Sequence, residues 1–106
     1  MDNFRIIHKI LKALETAMDY DEFDMNRISA EALTISQKRW DAIMEMLADN
    51  GYVKGVSVLE FAGGDRGIKV SGIRITLKGL EYLNDNTLMK KAANIAKGIK
   101  DSIPGI

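Results

Sequence analysis

The chain has 106 residues, 46% hydrophobic and 28% charged, enough for one modest core under a well-solvated surface and too few for two. It has no cysteine and a single histidine, His8, which excludes a disulfide framework, a thiolate metal site and a multi-histidine cluster. Fifteen Lys/Arg offset fifteen Asp/Glu, yet residues 1–60 hold seven cations against eleven acids and residues 61–106 eight against four, so attraction to phosphate belongs to the second half.

The first element is "NFRIIHKILKALETAMDY". Phe4, Ile7, Leu11, Leu14 and Met18 recur at helical spacing, Ile6, Ile10, Ala13 and Ala17 widen the stripe, and Arg5, Lys9, Lys12 and Glu15 lie away from it. Asp2 or Asn3 can cap this helix, and the acidic "DYDEFD" ends it. That run lacks the glycine and the terminal Glu of a calcium loop and reads as a solvated turn. A short strand is expected around Asn26–Ile28.

Ser29 then caps a very short helix, Ala30 to Leu33, which Thr34 and Ile35 close. Ser36 caps a longer one, "QKRWDAIMEMLADN", with Trp40, Ile43, Met44 and Leu47 on its apolar face and Gln37, Lys38, Asp41 and Glu45 on the other. Gly51 supplies its stop. Two helices joined this tightly read as helix-turn-helix.

From Tyr52 to Thr76 the pattern is strand and turn, with "AGGDRG" as the tip of a long hairpin. Gly55 and Gly72 interrupt the strands and mark bulges or twist. Thr76 caps the helix "LKGLEYLND", in which Leu77, Leu80 and Leu83 share a side. A final helix, roughly Thr87 to Ser102, carries Leu88, Ala92, Ile95, Ala96 and Ile99 as a stripe, and Pro104–Gly105 stops it.

Helix, short helix, helix, hairpin, helix is an α+β order: a winged helix-turn-helix, three helices with a β-hairpin wing, spanning residues 1–86, followed by a C-terminal helix over 87–106. "RWDAIMEMLADNGYVKGV" and "GIRITLKGLEYL" resemble the helix-plus-wing ending of bacterial winged-helix regulators. With "ISAEALTIS" ahead and "LMKKAANIAKGIKDSIPG" behind, nearly the whole chain resembles the YjcQ-like proteins of Gram-positive bacteria and their phages. That resemblance implies a winged-helix fold and a phage association.

In DNA-binding winged helices the second helix of the helix-turn-helix enters the major groove by its first turn. Here that turn offers Ser36, Gln37, Lys38 and Arg39, with Asp41 and Glu45 on the same side opposing phosphate. Arg66 at the hairpin tip and Lys69 beyond it can reach phosphate or a minor groove. "AGGDRG" is not a phosphate loop, since it lacks the GK[ST] ending and joins two strands. Trp40 reads as a core anchor, Tyr52 and Tyr82 as core-edge residues, and His8 as a surface residue.

The leading expectation is a cytoplasmic winged-helix protein that binds double-stranded DNA, a transcriptional regulator of phage or mobile-element origin. The alternative is a winged helix used as a protein–protein interaction module, motivated by the zero net charge and by Asp41 and Glu45 on the reading side. No nucleophile–base pair or cofactor fingerprint occurs, so neither an enzyme nor a cofactor, metal or small-molecule ligand is expected. The last helix must bury its stripe, on its own domain or in a homodimer; a membrane surface is a third option that the Ala-rich stripe, without Trp or Phe, disfavours. No apolar run reaches a membrane span, and the Met-Asp-Asn-Phe start lacks the pattern of a signal peptide.

Overall fold

A computed structural model describes residues 2–86. The helix expected over residues 87–102, and the dimer contact assigned to it, lie outside the described residues. Helix α1, Asn3–Ala17, starts where the Asp2 carboxylate accepts the Arg5 backbone N–H at 2.9 Å. Ile6, Ile10, Leu11 and Leu14 are its buried residues. Phe4 and Met18, expected on the buried stripe, are instead 71% and 62% exposed. The buried residues come from both apolar lines of this helix, and its packing partners decide which positions of each are covered.

The strand expected around Asn26–Ile28 does not form; Met25–Ile28 is a 3-10 turn. The Asp24 carboxylate accepts the Asn26 N–H at 3.0 Å, and Trp40 Nε1 donates to the Ile28 carbonyl at 2.7 Å. Two backbone groups that a strand would need are thus committed elsewhere. The same bond satisfies the indole of Trp40, whose ring is buried in the core as expected.

Helix α2, Ala30–Leu33, and helix α3, Gln37–Asp49, start from the expected caps: Ser29 accepts the Ala32 N–H at 3.0 Å and Ser36 the Arg39 N–H at 3.1 Å. Between them Thr34 takes the left-handed conformation, φ 59° and ψ 46°, a costly geometry for a β-branched residue. It closes the turn through Thr34 N–H to Glu31 and Ile35 N–H to Ala30 carbonyl bonds.

Strands β1, Val53–Glu60, and β2, Arg66–Ile75, form an antiparallel pair, the two-stranded sheet of the described residues. Val53 pairs with Ile75 and Lys54 with Arg74, but next comes Val56 with Val70, leaving Gly55 opposite three residues. Gly55 has φ +89°, and a Cβ there would sit 2.6 Å from the Ser71 carbonyl oxygen. This irregularity shifts the alternation by one residue in both strands. Before it Val53 and Ile73 are buried; beyond it the half-buried side chains are those of Val56, Val58, Ile68 and Val70. The distal wing therefore turns its other face inward.

Helix α4, Leu77–Asn86, follows β2 through Thr76. The Thr76 hydroxyl donates to the Gly51 carbonyl at 2.5 Å and accepts the Gly79 N–H at 3.1 Å. Gly79 permits the close approach: a Cβ there would collide with the Tyr52 carbonyl oxygen and lie 2.6 Å from Ile75 Cγ1. Leu83 is buried, whereas Leu77, expected to share its side, is 74% exposed. The result is an α+β fold in which the described residues form four helices and an antiparallel hairpin in a winged-helix-like layout, with one core drawn from α1, the 3-10 turn, α2, α3, the strand bases and α4. Among the described residues no helix is long and apolar enough to cross a membrane.

Candidate functional site

Helix α3 and the wing form the face on which the sequence placed its candidate residues. Ser36 holds the Arg39 N–H as the helix cap. Gln37, one turn before Asp41, donates its amide to that carboxylate at 2.9 Å. An adenine-reading Gln would need the same amide for the base edge.

The wing tip meets α3 directly. Arg66 opens β2, opposite Glu60, and its Nη2 lies 2.6 Å from Oε2 of Glu45. The change of face beyond Gly55 explains this contact, because it turns the Glu60–Arg66 end of the ribbon toward the helix. The hydrogen bond and charge of Glu45 hold the guanidinium above its ordinary pKa, and Glu60 and Asp49 add to the effect. The tip itself is closed by Phe61 N–H to Asp65 and Gly64 N–H to Phe61 carbonyl bonds.

Three of the six sequence-predicted residues, Ser36, Gln37 and Arg66, thus have side chains engaged inside the protein. Lys38, Arg39 and Lys69 are exposed, with no side-chain hydrogen bond or ion pair among the described residues. Asp41, Glu45 and Asp49 recur every four positions and so line one side of α3. Four carboxylates, counting Glu60, against two cations, Arg66 and Lys38 of the first turn, leave this side acidic. Helical spacing alone carries Asp41, Glu45 and Asp49, of which only the first two were expected on the reading side; Glu60 joins them only through the fold.

Other candidates take structural places. Tyr52 and Tyr82 are half-buried, their rings 5.3 Å apart, with the Lys78 ammonium 5.5 Å from the Tyr52 ring centre. Burial, and then the neighbouring Tyr52, pushes the Tyr82 hydroxyl up from its usual pKa. His8 is half-buried on α1.

Phe61 was not singled out by the pattern. It lies 55% exposed at the wing tip, its ring edge 3.3 Å from where a Cβ on Gly67 would be. Gly67 pairs with Leu59 in the ladder, so the approach of Phe61, just past the end of β1, carries no periodic signal.

No curated protein and no solved structure matches the chain. A family model described as "YjcQ protein" matches residues 8–102, nearly the full length, from within α1 through α4. The chain belongs to the YjcQ protein family.

Proposed function

We propose that this winged helix is a protein–protein interaction module whose α3–wing face receives a basic protein surface. The observation that carries the reading is the acidic row Asp41, Glu45 and Asp49, with the wing's Arg66 already paired to Glu45. DNA carries a phosphate charge about every 1.7 Å of helix axis, so a groove-reading helix lined with carboxylates opposes its own docking. The same row attracts Lys and Arg on a protein. Exposed Met46 on α3 and Phe61 on the tip add the apolar contact that interface centres use.

A photo-crosslinking side chain at Met46, with one at Lys9 on α1 as control, tests this in the producing cell. Protein adducts at position 46 that vanish in an Asp41→Lys, Asp49→Lys variant are expected. Nucleic-acid adducts at that position would overturn the reading.

A second reading keeps the winged helix as a phage-related DNA-binding regulator, supported by Lys38, Arg39 and Lys69, which are exposed and unpaired among the described residues. A duplex-DNA titration separates the two. Affinity that falls steeply with salt, and falls further in a Lys38→Ala, Arg39→Ala variant, would establish DNA binding in place of the protein partner.

A further inference from the structure

A second surface lies on the other side of the hairpin. A groove of about 1100 Å³ runs beside β2, walled by Val70 and Gly72 to Ile75 of that strand, by the end of α1 and by the loop following it. β1 contributes only Lys54. Among the described residues β2 has a strand partner on one edge alone, and in place of the strand expected around Asn26–Ile28 there is the 3-10 turn Met25–Ile28. An unpaired strand edge is a row of backbone donors and acceptors ready to receive another strand.

The groove's side chains define what would fit. Three of the exposed large hydrophobic residues, Met18, Tyr20 and Leu77, line it together. Lys54 and Arg74 sit directly opposite each other in the ladder, both exposed. Like charges so placed repel, and neither has an ion-pair partner among the described residues. Among the described residues a Cβ at Gly72 would meet nothing within 4 Å, so the space over that position of the strand is open. Asp21 and Glu22 on the far wall bias any carboxylate toward the strand side.

We propose that this groove takes an extended segment of a partner protein as a third strand along β2, with acidic and apolar residues in alternation. Successive side chains of a strand point to opposite faces. Acidic ones meet Lys54 and Arg74, while apolar ones meet Met18, Tyr20 and Leu77. Backbone hydrogen bonds supply affinity and the alternate side chains supply specificity. The site is separate from the α3–wing face and stands whether that face binds protein or DNA.

The test uses the full chain and a fluorescent synthetic peptide of alternating Val and Glu, in parallel with a Val–Lys peptide and a Val–Glu peptide N-methylated at alternate residues. Anisotropy should show binding of the first only, weakened at least tenfold by Lys54→Glu with Arg74→Glu. Amide exchange along Val70–Ile75 should slow on binding. Should the double variant lose its helical circular dichroism, Leu77→Glu, at a 74% exposed position, replaces it and should weaken the same peptide. Equal binding of the N-methylated peptide would reduce the site to charge attraction and overturn strand addition. Binding of neither peptide would leave Lys54 and Arg74 as charges that merely blunt a sheet edge, and would also overturn it.

Discussion

The two sides of the hairpin dispose of their charges in opposite ways. On the α3 side, Arg66 lies on Glu45 and Gln37 lies on Asp41, so the polar groups satisfy one another and the carboxylates left over set the sign. On the β2 edge, Lys54 and Arg74 oppose each other without a partner among the described residues, beside exposed apolar side chains. The first is an acidic face whose ion pair is internal, and the second sets two cations beside a strand edge that has no strand partner among the described residues. A net charge of zero conceals both. Local pairing, more than total charge, indicates what each surface can accept.

The largest perturbation breaks the device that separates the two sides. Gly55→Val puts a β-branched side chain at φ +89° against the Ser71–Gly72 backbone, and should cost about 3 kcal/mol or more, or prevent folding. Thermal unfolding reads the loss, and the Arg66–Glu45 contact should disappear with it. Gly79→Ala attacks the hinge below both surfaces. Its Cβ meets the Tyr52 carbonyl and Ile75, and denaturant unfolding should show a loss of about 2 kcal/mol. Trp40→Phe removes the indole donor and leaves the Ile28 carbonyl without its bond, for about 1–3 kcal/mol in the same assay. It also tests whether the 3-10 turn, freed of that bond, still keeps residues 25–28 from pairing with β2.

Smaller changes sharpen the contrast without unfolding anything. Glu45→Gln should change the melting temperature little, because Arg66 is exposed and solvent reaches the half-buried Glu45. It should nevertheless raise low-salt affinity for duplex DNA by several-fold, since it removes a carboxylate and releases Arg66. An unchanged affinity would show that the acidic row does not govern DNA binding by this face.

The last effect is a pH dependence. The folded protein holds the Tyr82 proton more tightly than the unfolded chain, so this group's stabilisation is complete below about pH 10 and is lost as pH rises through the raised folded pKa. Urea unfolding at increasing alkaline pH should show that decline, and Tyr82→Phe should flatten it. Both surfaces share this core, so neither should respond before stability does.

The winged-helix order, the caps at Ser29, Ser36 and Thr76, the burial of Trp40 and the bulge glycines could all be read from the residues themselves. These features depend on neighbours three or four positions away, or on backbone freedom at one residue, and such information is local. Several others depended on tertiary structure. Trp40 and Asp24 drew residues 25–28 out of the sheet; packing chose Ile10 and Leu14 over Phe4 and Met18; the alternation change at Gly55 decided which end of the wing meets α3. Arg66 and Glu45 are 21 residues apart, a separation no periodicity encodes. Ion pairing is a through-space property, so the sequence could list the charges while only the fold determined which remained available to a partner.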